Sequence, residues 1–162
     1  MTSDARAAAG TLHSVVREIR IAASPEIIWS FLVEEDKVVK WEAVAADFDL
    51  RPGGSMRLDI HTTDIALGEF RVVQPFERLA YTWGWKDDDG LPPGSTLVEI
   101  TLTPDGDETV VRLEHSELPT DEAADQHGEG WDYYLERLGI VMSGGDPGVD
   151  KWADAPPEES AR

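Results

Sequence analysis

Only one stretch of this chain can form a long amphipathic helix, and it comes last. In "DQHGEGWDYYLERL" and the residues after it, Trp131, Tyr134, Leu135, Leu138 and Met142 recur at helical spacing. Thr120 stands where an N-cap belongs, and Asp121 and Glu122 suit the positive end of the helix. Most of what precedes it reads as strand and turn. An antiparallel sheet must bury one face, so this single helix has to cover it. That confines the chain to an α+β architecture in which a curved sheet wraps one long C-terminal helix.

The sheet is legible strand by strand. In "HSVVREIRIAA", Val15, Arg17, Ile19 and Ile21 alternate with Val16, Glu18 and Arg20, the pattern of a half-buried strand. The period then changes. "SPEIIWSFL" offers Ser24 as N-cap, Pro25 at the first helical position, and an apolar face of Ile28, Trp29, Phe31 and Leu32. "DKVVKWEAV" predicts a second short helix, capped by Asp36 and ending near Trp41. In "SMRLDIHT", Met56, Leu58 and Ile60 are expected inside, with Arg57, Asp59 and His61 on the solvent face. "GEFRVVQP", "RLAYTWGW", "STLVEITLTP" and "ETVVRLEHSE" continue the series, so about six or seven antiparallel strands are expected. "PDGD" between the last two marks a tight hairpin, because Gly106 can supply a positive φ. The folded domain is expected over residues 13–142. Residues 1–12 read as a flexible N-terminal segment and 143–162, rich in Gly, Pro and acid, as a poorly ordered acidic tail.

Composition narrows the function. A length of 162 residues suits one domain with a sizeable core. With 33 acidic against 14 basic side chains, the net charge of -19 disfavours nucleic acid and anionic membrane surfaces as partners. The absence of cysteine excludes disulfides, thiolate chemistry and cysteine-ligated zinc. The opening lacks a signal-peptide pattern, and no segment approaches the roughly 20 apolar residues of a membrane span. The expected location is the cytoplasm.

Space between a strongly curved sheet and its helix is a candidate cavity. Tyr81, Trp83 and Trp85 share one face of a strand, while Trp41, Phe70 and Trp131 lie on other elements. Together with His127, Tyr134, Leu135 and Leu138 on the helix, these are the candidate lining residues. Two alternatives stand beside a cavity: the rings pack solidly as core, or the strand faces outward and presents a patch to a protein partner. Gly128 and Gly130 weaken the helix, which suggests that they permit close approach to the sheet or leave room above a cavity.

The motifs for chemistry are sparse. Asp125 and Glu129 lie two residues from His127 and point elsewhere on a helix, so they do not form a catalytic pair with it. "HGE" lacks the cysteines of a zinc deaminase, and "DDDG" at 87–90 breaks the calcium-loop pattern at both anchors. "HSE" at 115–117 with His61 has no metal spacing, and no nucleophile elbow or phosphate loop occurs. No metal, cofactor or catalytic residue is assigned. Arg51, Arg57 and Arg112 are strand charges, any of which could pair with a ligand carboxylate if it pointed inward. An inward Glu114 would be the general acid or base.

The segments "VVREIRIAASPEIIWSFL", "KWE", "LRPGGSMRLDI", "GEFRVVQPFERLAYTWGW", "STLVEITLTPDGDETVVRLEHSEL" and "HGEGWDYYLERL" together resemble the activator of heat-shock protein 90 ATPase homologue family. That family lies in the START-like (SRPBCC) helix-grip superfamily, and the similarity spans about residues 15 to 139. The resemblance implies a helix-grip fold with an apolar pocket between sheet and C-terminal helix. A histidine followed by Gly-Trp is frequent on that helix in the family, which matches His127, Gly130 and Trp131 and favours a packing or pocket-rim role. The expected function is binding of a small hydrophobic or lipid-like molecule without chemical change, by a monomer or homodimer. The alternatives are a chaperone-associated or other protein-interaction module, whose acidic surface docks a basic patch, and a cyclase- or aromatase-type enzyme.

Overall fold

A computed structural model describes residues 12–151. Residues 1–11 of the expected N-terminal segment and 152–162 of the expected tail lie outside the described residues. The order is β1 (His13–Ile21), α1 (Pro25–Val33), α2 (Glu35–Val38), β2 (Ala45–Phe48), β3 (Ser55–Asp59), β4 (Ile65–Gln74), β5 (Arg78–Trp85), β6 (Thr96–Asp105), β7 (Glu108–Leu118) and α3 (Asp121–Met142). The strands form one seven-stranded antiparallel sheet in the order β1-β7-β6-β5-β4-β3-β2. This is the helix-grip arrangement: β2 to β7 run as a meander, and β1 returns to lie beside β7.

Local chemistry accounts for the element boundaries. Ser24 Oγ accepts from the Ile27 amide at 3.4 Å, and Thr120 Oγ1 accepts from the Ala123 amide at 3.0 Å, so α1 and α3 start at side-chain caps. Gly106 takes φ 65° in the β6–β7 hairpin. The second helix departs from expectation. It begins at Glu35, its cap position Glu34 makes no side-chain cap bond, and it ends at Val38. Glu35 and Asp36 both occupy the acid-favoured first turn, so Asp36 lies inside the helix rather than capping it. The chain then turns, with the Trp41 and Glu42 amides both donating to the Val38 carbonyl.

The core fills the concave face of the sheet. Met56 and Leu58 of β3, Phe70 of β4, Val98 and Ile100 of β6 and Leu113 of β7 are buried there beneath Leu135 and Leu138 of α3. The helix does not sit centrally. It packs most closely against β1. Gly128 makes that approach possible, since a Cβ in its place would lie 2.7 Å from Arg17 Nη2 and 3.4 Å from Val15 Cγ1. Arg17 Nε also donates to Asp132 at 2.5 Å, fixing the same seam.

His61 is a second departure: it is 5% exposed, although strand alternation put it on the solvent face. β3 ends at Asp59, and the chain reverses with the Ile60 amide donating to the Asp64 carbonyl, so the period of two no longer applies. His61 Nδ1 lies 3.3 Å from Asp64 and its Nε2 lies 3.2 Å from Asp150, whose carboxylate also accepts from the Tyr134 hydroxyl. Residues 144–151 thus fold back along α3 rather than trailing away as far as they are described. Arg137 Nη1 donates to the Pro147 carbonyl, and the Lys151 amide donates to the Tyr133 hydroxyl at 2.8 Å. The acidity that suggested disorder supplies the anchoring carboxylate.

Asp150 first, then Asp64, raises His61 to about 9 from 6.5. The folded chain therefore holds a proton that the unfolded chain gives up, and the stability contributed by this cluster is complete below pH 6.5 and lost as pH rises through about 9. Asp150→Asn is expected to flatten this dependence. Amide exchange over residues 144–151 should accelerate by about tenfold while the sheet is unchanged, read by hydrogen-exchange mass spectrometry.

Candidate functional site

Where α3 leans toward β1 it stands away from β5, and a narrow slot with about 30 Å³ of water-accessible space opens there. Trp83 and Trp85 form its floor, with Ile60 from the turn after β3 beside them. The helix supplies Trp131, Tyr134 and His127, with Gln126 at the exposed mouth. Gly130 faces the slot, and a Cβ built on it would meet nothing within 4 Å. Gly128 and Gly130 thus take the two roles considered for them, close approach and open space, one each. The indoles touch edge to face or tilted: Trp83 lies 5.3 Å from Trp85 and 5.5 Å from Trp131 between ring centres.

Two histidines hold these walls in place. An indole nitrogen can only donate, so the Trp131 Nε1–H bond to His115 Nδ1 at 3.0 Å requires that nitrogen to be an acceptor. The other ring nitrogen, Nε2, then donates to Thr96 Oγ1 at 2.8 Å, and Thr96 passes its own proton to the Trp83 carbonyl at 2.7 Å. His127 is wired the same way. Its Nε2 accepts from Trp85 Nε1 at 3.0 Å and its Nδ1 donates to the Ala123 carbonyl at 2.8 Å. Both rings are therefore neutral with assigned tautomers. Burial, and next the nearby His127, push His115 well below the ordinary histidine range.

The turn after α2 aims Glu42 into the slot. Trp41 anchors that turn: its indole donates to the Phe31 carbonyl at 2.8 Å, and its own carbonyl accepts from Arg137 Nε at 3.0 Å. Glu42 is 5% exposed, and its Oε2 has no hydrogen-bond partner among the described residues. Trp83 Nε1, on the floor of the same slot, is the other such buried atom. Leaving a buried polar atom unpaired costs about 1–3 kcal/mol, so two in one slot is a considerable expense. Burial raises the Glu42 carboxyl to about 8, which leaves it largely protonated at neutral pH and able to donate.

Of the sequence candidates, Trp83, Trp85, His127, Trp131 and Tyr134 line the slot. Trp41, Phe70, Tyr81, Leu135 and Leu138 do not; they are buried in the core around it. Phe70 packs edge-on to Phe48 and Tyr81 at 5.4 and 5.9 Å, which explains its burial away from the slot. The row Tyr81, Trp83 and Trp85 faces inward. The three arginines face solvent, each paired with an acid two positions away: Arg57 with Asp59 on β3, Arg112 with Glu114 on β7, and Arg51 with Asp49 in the connection between β2 and β3 rather than on a strand as expected, because β2 ends at Phe48. Glu114 is thereby excluded as the inward carboxyl, and Glu42 takes that place. Periodicity could not reveal Glu42, since it lies in a turn, but a lone carboxylate inside the apolar run "VVKWEAV" was the available signal. Among the described residues, no group of three or more acidic or histidine side chains is placed to hold a metal, and no helix is long and apolar enough to cross a membrane.

Because the folded state raises Glu42 from 4.5 to about 8, unfolding releases its proton between those values. Its contribution favours the fold most below pH 4.5 and declines by a few kcal/mol as pH rises to about 8. Glu42→Gln is expected to abolish this slope and raise the melting temperature at pH 8 relative to the parent, measured by thermal denaturation across pH.

Comparison with known proteins places this geometry. Residues 22–143 match the model of the family described as Activator of Hsp90 ATPase homolog 1-like protein. An AHSA1-like protein from Rhizobium etli, solved in solution, is 38% identical, with 93% of this chain and 94% of that one covered and a TM-score of 0.71. CalU16 from Micromonospora echinospora is 27% identical over 92% of this chain and 76% of its own, with a TM-score of 0.74. The Aha1 dimer from Colwellia psychrerythraea shares the fold at 20% identity, covering 80% of this chain and 96% of its own, with a TM-score of 0.70. No curated protein matches the chain.

Proposed function

The chain belongs to the Activator of Hsp90 ATPase homolog 1-like family, and from that premise we propose that it binds a small apolar molecule in the slot between β5 and α3 and releases it unchanged. The observation that carries this reading is the open space at Gly130. A helix that packs on the sheet at Gly128 leaves a void one half-turn later, facing Trp83 and Trp131. Flat aromatic walls of this kind suit a flat or aliphatic guest, whose transfer from water contributes about 25 cal/mol per Å² buried.

A second reading, an enzyme of the cyclase or aromatase type, is favoured by Glu42. An inward carboxyl with a value near neutrality is suited to moving protons, and its slot excludes most water. The partner-binding reading draws less support, because the aromatic row that would have formed a docking patch is turned inward.

Native mass spectrometry of the purified protein, followed by denaturing extraction, tests the first reading. A stoichiometric apolar compound recovered intact is the expected result. A compound converted to another on incubation favours the enzyme, and a protein that neither retains nor takes up any apolar compound sinks both. Gly130→Leu is expected to fill the slot and reduce uptake by at least about tenfold. Because leucine is the better helix former by roughly 1 kcal/mol, the variant should melt no lower than the parent.

A further inference from the structure

Resting on the slot as a ligand site, we propose that its occupant is an uncharged molecule with a carbonyl-type acceptor on an apolar body, held by hydrogen bonds donated by Glu42 and the Trp83 indole. Carboxylates and ammonium groups are rejected. Most polar atoms of the slot are already engaged. Trp85 donates to His127, Trp131 donates to His115, and Tyr134 donates to Asp150. Both ring nitrogens of His127 are engaged. Every buried side-chain nitrogen and oxygen among the described residues has a partner except two, Glu42 Oε2 and Trp83 Nε1, and both belong to this one slot. Folded proteins rarely leave such atoms unpaired without a use for them.

The chemistry of the two atoms defines the guest. An indole N–H only donates, so the guest must bring an acceptor. Burial keeps Glu42 protonated at neutral pH, so it too has a proton to offer. A ligand carboxylate would bury a charge in an acidic protein with no cationic side chain among the slot residues to balance it. An ammonium group could pair with Glu42 only after the Glu42 proton has gone to solvent, and it has no lone pair to accept from Trp83. A neutral carbonyl satisfies the donors and leaves the rest of the molecule to the aromatic walls.

Four probes with nearly the same body separate these cases: ethylbenzene, acetophenone, benzoate and 1-phenylethylamine, titrated at pH 7 into the full chain. The readouts are the dissociation constants and the indole N–H signals in proton–nitrogen spectra, with Trp83→Phe identifying the Trp83 signal. Acetophenone is expected to bind most tightly and move the Trp83 indole proton downfield. Glu42→Leu should weaken acetophenone by about tenfold and ethylbenzene by less than about twofold, while Glu42→Gln, whose amide still donates, retains acetophenone. Replacing a partnerless buried carboxyl by leucine breaks no hydrogen bond and strands no further polar atom, so this variant keeps the fold. Equal or tighter binding of benzoate or 1-phenylethylamine, or a Glu42→Leu protein that holds acetophenone unchanged, overturns the inference while leaving the slot reading intact if ethylbenzene still binds. If none of the four shifts Trp83, Trp85 or Trp131, the slot reading falls and takes the inference with it.

Discussion

The placement of α3 rests on a crossed pair of indole-to-imidazole hydrogen bonds. A sheet histidine, His115, receives the helix residue Trp131, and a helix histidine, His127, receives the sheet residue Trp85. The two helix positions lie about one turn apart, so together they fix both the height and the rotation of α3 over β5. Each bond needs a neutral ring. The imidazoles are 4.9 Å apart between centres, so protonating both would set two cations against each other in a site without water to screen them. Acid therefore loosens the helix at the point where the slot opens, as pH falls below about 6.5, the value His115 would have in the unfolded chain.

How far the sequence reached follows from what periodicity can express. The long helix, its cap at Thr120, the hairpin at Gly106 and the one-faced aromatic row of β5 are all local patterns, and all are found in the structure, whereas the inward facing of that row was left open by the sequence. The family and the helix-grip fold were legible for the same reason, as an ordered set of such patterns. What lay beyond reach depended on where a regular element stops. His61 lies two residues beyond the end of β3, Glu42 sits in the turn after α2, and Asp150 comes from a segment whose composition suggests disorder. Phe70 and Tyr81 face the correct side of their strands, yet a facing assignment cannot say whether a neighbour or a void lies opposite. In the slot that distinction was set by which glycine touches the sheet, a matter of helix placement.

The large excess of acid is handled almost entirely at the surface. Arg57 on β3 and Arg112 on β7 pair with carboxylates two positions along the same strand, Arg51 pairs with Asp49 between β2 and β3, and Arg20 reaches Asp105 and Glu108 across the hairpin. Such exposed pairs contribute little to stability individually. Their effect on the slot is indirect: the cations are engaged on the outer face, and the electrostatics inside are left to Glu42 and the indoles. Among the described arginines Arg137 is the buried exception, and it is used to grip the Trp41 carbonyl, which holds the Glu42 turn against α3.

The sheet order carries a consequence for how the molecule is assembled. Every other strand finds its partner next to it in sequence, but β1 pairs with β7, with His13 opposite Leu118. A contact spanning so much of the chain carries a large loop-closure cost and is formed late. During synthesis β1 must wait, with Val15, Ile19 and Ile21 unpaired, until β7 has been made. Arg17, Glu18 and Arg20, interleaved with those residues, act in that interval as gatekeepers against pairing with another nascent chain. Since α3 in turn packs most closely on β1, the slot cannot take shape until this last strand is seated, and its presence marks a finished fold rather than a partial one.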